Sequence, residues 1–236
     1  MEIGSAEWHR LIIDGASAFG LSVDERQLQL FALHAREMIR WNRATNLTAI
    51  TRPRDVALKH FIDSLAAAPF VPPDSRLLDV GSGAGFPGIP LKILDLSLTV
   101  TMIDSSQKKV NFLKHAIRTL GLDGIRAVHC RVQDLFGSRD KPAFDVVISR
   151  ALTDMRSFAA MAMPLLAGRG SAIALKGPNI KSEWAELKRG NRPSEAVSDR
   201  WTQNLAFRRV SYRLPFTDME RVLVIFERVV SPDMGS

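Results

Sequence analysis

Leu77-Leu78-Asp79-Val80-Gly81-Ser82-Gly83-Ala84-Gly85-Phe86-Pro87-Gly88 is a short apolar run that breaks into a glycine-rich turn. Glycines at 81, 83 and 85 let the chain turn sharply and bring its main chain against a ligand where a Cβ would collide. Pro90 follows in a first helical turn, where its missing N–H is harmless. The next apolar run, over 99–104, ends in Asp104. A carboxylate one strand away from such a turn can accept both hydroxyls of a ribose. Strand, glycine turn, helix and acid together read as the nucleotide-type cofactor site of an open α/β sheet.

Gly83-x-Gly85-x-x-Gly88 also fits the dinucleotide fingerprint, so the cofactor needs a second argument. A dinucleotide site sets a helix N-terminus against a pyrophosphate directly after the second glycine. Here Phe86-Pro87 delays the helix to about Ile89-Pro90. An adenosyl sulfonium carries no phosphate and is positive near sulfur, which suits a nearby carboxylate such as Asp79. The motif grammar therefore favours S-adenosyl-L-methionine over NAD.

Composition bounds the class. A chain of 236 residues buries one substantial core with a small appendage. No apolar run approaches the ~20 residues of a membrane helix, and Met1-Glu2-Ile3 lacks a signal-peptide pattern, so a cytoplasmic protein without a membrane partner is expected. A single cysteine, Cys130, excludes an internal disulfide and a cysteine-rich zinc site, and no metal is expected. Cys130 is read as a core residue at the end of a strand. Net charge is +7. Between Arg36 and Lys59 six Lys/Arg face two acids, and between Lys181 and Arg213 eight face four. If those stretches share a face, they form a footprint for a polyanion.

Periodicity divides the chain near 69–74 into a helical N-terminal region, 1–72, and a strand–helix alternation, 73–236, packed as one unit. Helices are expected over 6–18, 23–41 and 54–68. In the second, Leu28, Phe31, Ala32, Ala35, Met38 and Ile39 form one stripe, and Ser22-x-x-Glu25 offers a capping box. Strands are expected over 76–80, 99–104, 125–130, 144–149 and 171–176. Helices should lie between them over 90–95, 106–120 and 155–166. This alternation predicts a mainly parallel sheet. The runs 207–214 and 221–229 predict an antiparallel pair at its C-terminal edge, and a helix is expected from Ser182 to Arg189.

Beyond the glycine turn, several segments carry a resemblance. Asn42-x-x-x-Asn46-Leu47-Thr48, His60-x-x-Asp63-Ser64, the Gly81-to-Gly88 loop, Ile103-Asp104-Ser105, Ile148-Ser149-Arg150-Ala151 and Ala174-Leu175-Lys176-Gly177 resemble, collinearly over about 40–177, the small-subunit ribosomal RNA guanine-N7 methyltransferases, also called glucose-inhibited division protein B. The resemblance implies a class I, Rossmann-like, S-adenosylmethionine-dependent methyltransferase with an N-terminal helical extension. Its partner would be 16S ribosomal RNA or the small ribosomal subunit, and the chain would act as a monomer. The implied cofactor contacts are Gly81, Phe86, Val132, Gln133 and Arg150, with Asp104 on the ribose, alongside Gly83 and Gly85 of the turn. Relatives often carry an acid where this chain has Gln133, yet an amide can both donate to and accept from adenine.

The chemistry agrees with that implication. Guanine N7 presents a lone pair and no proton, so methyl transfer needs positioning and no general base. Amino-group methylation would ask for an Asp/Asn-Pro-Pro-aromatic segment where the chain reads Ser149-Arg150-Ala151-Leu152. Arg150 is the expected catalytic, positioning residue. It suits the methionine carboxylate, an RNA phosphate, guanine O6 or a structural acid, and the sequence leaves these open. Lys176 is a candidate phosphate contact. His60 and Asp63, one helical turn apart, read either as RNA contacts or as a tie between the N-terminal helices and the glycine loop. Asn46 reads as an RNA contact or as a helix cap, and Trp41 and Phe61 as core. An NAD-dependent oxidoreductase, a non-catalytic RNA-binding protein and another RNA or small-molecule methyltransferase are the alternatives.

Overall fold

A computed structural model describes residues 1–137, 143–150, 153–190 and 205–228. Ala151 and Leu152, residues 191–204 of the stretch 181–206 and residue 229 of the expected strand 221–229 lie outside the described residues.

Helix α1 (Ala6–Ser17) starts where the Ser5 hydroxyl accepts the Trp8 amide at 3.3 Å. Helix α2 (Glu25–Thr45) is capped by Asp24 and Gln27, with the Asp24 carboxylate taking the Gln27 amide at 2.7 Å and the Gln27 side chain taking the Asp24 amide at 2.8 Å. This corrects the expected Ser22–Glu25 box by two residues. Gln27 also donates to Leu94 O, a tertiary bond that selects the later register. The helix runs on to Asn46, whose left-handed backbone (φ 49°) ends it and bears out the cap reading.

The third helix is composite. It begins as α3 (Pro53–Val56), opens into a π-helical turn (Ala57–Ile62) and closes as α4 (Asp63–Leu65). π-Helical geometry loosens the main-chain ladder. Two of its carbonyls take side-chain donors: Lys59 O receives Arg150 Nη1 at 2.8 Å and His60 O receives Ser64 Oγ at 2.6 Å.

From residue 76 strands and helices alternate as β1 (Arg76–Val80), α5 (Gly88–Leu94), β2 (Thr99–Asp104), α6 (Gln107–Leu120), β3 (Ile125–His129), β4 (Phe144–Arg150), α7 (Met155–Ala162), β5 (Leu166–Lys176), α8 (Lys181–Gly190), β6 (Leu205–Arg213) and β7 (Glu220–Arg228). Among the described residues the sheet has seven strands, in the order β3-β2-β1-β4-β5-β7-β6. All neighbours run parallel except β7, which is antiparallel to both β5 and β6. The expected mixed edge is therefore present, with β7 inserted between β5 and β6. Several boundaries differ from expectation, among them α2, which runs to Thr45 past the expected 41, and β5, which begins at Leu166 ahead of the expected 171. Helix α5 begins at Gly88, ahead of Ile89-Pro90, and α7 stops at Ala162 because Pro164 interrupts the helix before β5.

The sheet carries a core on each face. One gathers α1, α2 and the composite helix with α5 and α6, around Trp8, Phe31, Phe61 and Phe112. The other gathers α7, α8 and the outward faces of β6 and β7, around Phe158 and Phe226. The N-terminal helices thus share a continuous core with two crossover helices of the sheet. Trp41 packs against Phe112 at 5.8 Å, and Phe61 is fully buried, as expected for core residues.

Candidate active site

A cavity of about 740 Å³ opens at the carboxyl ends of the parallel strands. This is where α/β sheets of this kind bind ligands, because the order reverses beside β1. Val80 and Gly81 supply its floor, and Ile103, Asp104, Ser105 and Lys109 one side. Cys130 to Gln133 follow after β3, and Arg150, Thr153, Ser157 and Met161 close the far side.

The wall at β2 is assembled locally. Gly81 and Ser82 both donate their amides to Ile103 O, at 2.8 and 3.1 Å, which folds the glycine turn against the end of β2. Asp104 Oδ2 accepts the Gly83 amide at 3.0 Å and Oδ1 the Ser106 amide at 2.8 Å. Each carboxylate oxygen keeps a lone-pair direction for a further donor, which is what a ribose diol requires. Gly81 and Gly83 sit at φ 72° and 57°, conformations that a side chain would strain.

Part of the glycine loop packs inward against the protein. Gly83, Gly85 and Phe86 do not line the cavity. A Cβ on Gly85 would fall 2.5 Å from Ile89 Cδ1, so its close approach is to α5. Gly88 makes a similar approach to Asp79, whose Oδ2 accepts the Gly88 amide at 3.0 Å. Phe86 is buried between two imidazoles, stacked on His34 at 4.9 Å and on His60 at 4.5 Å. Asp79 lies wholly inside beneath the loop. Burial pushes its carboxyl up to about 7 against the opposing Gly88 hydrogen bond, and Oδ1 has no partner.

The opposite wall is held from far along the chain. Arg150 Nη1 donates to Lys59 O, Nη2 lies 2.9 Å from His60 Nδ1, and the guanidinium stands 5.2 Å from the Phe86 ring centre. Asp63 is 3.9 Å from Arg150, pairs with Arg221 Nε at 3.3 Å and accepts the Tyr212 hydroxyl at 2.8 Å. His60 and Asp63 therefore do not bond to each other. His60 ties the N-terminal helices to the loop by stacking on Phe86, whereas Asp63 ties them to the ends of β4, β6 and β7 through Arg150, Tyr212 and Arg221. Burial lowers His60 to about 3, helped by the Arg150 charge, and His34 to about 4, so both rings are neutral at ordinary pH.

Lys176 is spent elsewhere. Its ammonium is bound to Thr153 O and pairs with Glu183 at 3.0 Å, which anchors α8. Cys130 is half-buried: it packs against the second core, as expected, and also lines the cavity. Asn46 is exposed at its corner, away from the cavity lining. Arg54 of the first basic stretch donates to Phe216 O and Arg208 of the second lies over the Phe70 ring, so each contact joins its stretch to a residue outside the other. Lys181, Arg209, Arg213 and Arg221 line a second hollow of about 480 Å³, with Glu220. Arg221 faces this hollow and Arg150 the first, with Asp63 between them.

Some contributors were not visible in the sequence. Lys109, Arg131 and Ser157 carry no motif and are recruited by topology. His34 was overlooked as a polar residue although its position continues the apolar stripe of α2; its Nε2 donates to Ala84 O at 2.9 Å, inside the glycine turn.

Among the described residues no cluster of metal-ligating side chains occurs. The profile of the family described as rRNA small subunit methyltransferase G matches residues 27–207. Proteins named Ribosomal RNA small subunit methyltransferase G are similar over nearly the whole chain. The one from Geobacter sulfurreducens is 40% identical over 91% of this chain and 95% of its own length. That from Geotalea uraniireducens is 41% identical, covering 93% and 96%. Solved structures at low identity share the fold. TrmN from Thermus thermophilus has a TM-score of 0.51 at 18% identity, covering 73% of this chain and 53% of that one. A mutant of MtNAS in complex with S-adenosylmethionine has a TM-score of 0.51 at 17% identity, covering 95% and 80%. The parallel sheet with its inverted seventh strand, the loop-and-acid cavity and these matches have one common account: the chain belongs to the rRNA small subunit methyltransferase G family.

Proposed function

We propose that the chain transfers the methyl group of S-adenosyl-L-methionine to N7 of a guanine in 16S ribosomal RNA. The observation that carries this reading is the cavity at the strand ends, where Asp104 faces Lys109, Arg131 and Arg150, in a chain that matches ribosomal RNA methyltransferases over almost its entire length. One acid meets the ribose, and the cations suit a carboxylate and a phosphate backbone. The cofactor, when bound, supplies an electrophilic methyl on a sulfonium. The chain's residues would hold it at Gly81, Asp104, Val132 and Gln133, with Arg150 at the methionine carboxylate or the guanine edge.

The protein has little proton chemistry to perform. The N7 lone pair forms the new N–C bond as the S–C bond breaks, and that electron pair returns to sulfur. No proton leaves, so no base is called for. His60 fits this account: neutral, buried and bonded at both nitrogens, it has no free lone pair for an incoming proton. Catalysis then rests on orientation and on excluding water.

The second hollow, with Lys181, Arg209 and Arg213, supports an RNA footprint that extends from the cavity across the β6–β7 edge. On this reading the N-terminal region (1–72) and the core (73–236) act as one monomeric unit in the cytoplasm, on naked RNA or on the small subunit. No helix among the described residues is long and apolar enough to cross a membrane. Mass spectrometry of 16S RNA nucleosides from cells lacking this chain tests the reading. Loss of a 7-methylguanosine that returns with the gene is expected, and an unchanged nucleoside profile overturns it.

A further inference from the structure

The corner between α2 and α3 is joined to the cavity by a chain of directed hydrogen bonds. Asn42 brackets Thr48 from two sides, with Nδ2 donating to Thr48 O at 2.9 Å and Oδ1 accepting the Thr48 amide at 2.8 Å. Thr48 Oγ1 in turn accepts the Ile50 amide at 3.0 Å and lies 3.0 Å from His60 Nε2. His60 Nδ1 lies 2.9 Å from Arg150 Nη2.

The order of protons along this chain follows from valence. A guanidinium has only donors, so Nδ1 must accept and carries no hydrogen. The proton of a neutral ring then sits on Nε2, which donates to Thr48 Oγ1. The opposite tautomer would set an N–H against an N–H at 2.9 Å. Stacking of the His60 ring on Phe86, at an interplanar angle of 11°, fixes the plane in which both bonds point. The Lys59 carbonyl holds the other terminal nitrogen of Arg150, so the guanidinium has its rotation removed by two adjacent residues of the π-helical turn.

We infer that Thr48 and His60 are positioning residues for methyl transfer: Thr48 Oγ1 accepts the Nε2 proton and holds the ring, and His60 so held keeps the Arg150 guanidinium in the cavity wall. Thr48 does not line the cavity, so it acts only through His60. The functional half of the inference rests on the cavity being the S-adenosylmethionine site. The low proton affinity of the buried ring agrees with it, because a second ring proton would face Arg150.

Two measurements judge the relay. Nitrogen-15 NMR of the imidazoles in the full chain is expected to show His60 protonated at Nε2 alone from pH 5 to 9. An Nδ1–H or doubly protonated ring in that range overturns the relay. Thr48→Val keeps the shape of the side chain but removes the acceptor. It should lower S-adenosylmethionine affinity or single-turnover methylation by at least tenfold, with a melting temperature near wild type, and Thr48→Ser should recover the loss. Wild-type affinity and turnover in Thr48→Val overturn the inference, as does a loss that merely tracks unfolding. Absence of cofactor binding by the wild-type chain would instead remove the reading of the cavity, and the NMR result judges the hydrogen-bond relay regardless.

Discussion

The two walls of the cavity are built on opposite principles. At the end of β2, Asp104, Ser106 and the glycine turn satisfy one another within about 25 residues, through main-chain amides that any similar strand–turn–helix would present. At the end of β4, Arg150 depends on Lys59 and His60, some 90 residues earlier, and on Asp63, which in turn is held by Tyr212, 149 residues later. A local wall forms with its own supersecondary unit. A long-range wall forms only when the N-terminal helices, the sheet and the C-terminal strands have all docked, so stability and activity are coupled there.

That contrast yields its largest effect at Asp63. Asp63→Ala would leave Arg221, Arg150 and the Tyr212 hydroxyl facing an empty acceptor, and removing one partner from a buried charge cluster costs about 3–5 kcal/mol. Urea unfolding should register that loss. A cost below about 1 kcal/mol would mean that the far wall is not held by this cluster.

The local wall has its own weak point in Asp79. Its carboxyl is raised from about 3.8 unfolded to about 7 in the fold, so the folded state retains a proton that the unfolded chain releases. Stability is therefore full below pH ~4, declines as pH rises from about 4 to 7, and is flat above, with at most about 4 kcal/mol at stake. Asp79→Asn keeps an acceptor for the Gly88 amide and abolishes the titration. Melting temperatures across pH 4–8 should slope for wild type and lie flat for the variant in that window. Identical slopes would remove Asp79 from the account.

Arg150→Lys tests the far wall with smaller perturbation. Lysine retains charge but cannot reach Lys59 O and His60 together in one plane. Single-turnover methylation at saturating cofactor should fall by roughly 2 kcal/mol of transition-state stabilisation, about 30-fold. Full activity would refute an orienting role. On the near wall, Asp104→Ala should weaken S-adenosylmethionine binding by about 1–2 kcal/mol in calorimetry while the fold survives, because only two part-buried amide bonds and the ribose acceptor are lost. The smallest effect is ionic. Affinity for ribosomal RNA should fall steeply with salt through counterion release, and affinity for the cofactor should scarcely change.

The same contrast explains what was legible in advance. Strands β1 and β2, the glycine turn and the acid at 104 were readable because their partners are sequence neighbours. The packing of Phe86 was hidden for the opposite reason: its motif shows a loop residue, whereas His34 and His60, brought in from two other helices, enclose its ring. Lys176 looked free at a strand end until Glu183 and Thr153 were seen to hold it. The capping box failed by two residues because Ser22-x-x-Glu25 and Asp24-x-x-Gln27 satisfy the same local rule, and the choice was made by Gln27 reaching Leu94 O across the core.

The sequence by itself determined the alternation of strands and helices, the parallel sheet with its antiparallel edge and the location of the cofactor turn. Those features depend on hydrophobic period, glycine backbone freedom and capping chemistry, all of which act over a few residues. Only the tertiary structure decided which side chains face the cavity and which are consumed in holding it. A polar group's availability depends on every donor and acceptor within hydrogen-bond reach, and for Arg150, His60 and Asp63 those partners come from segments that meet only in the folded chain.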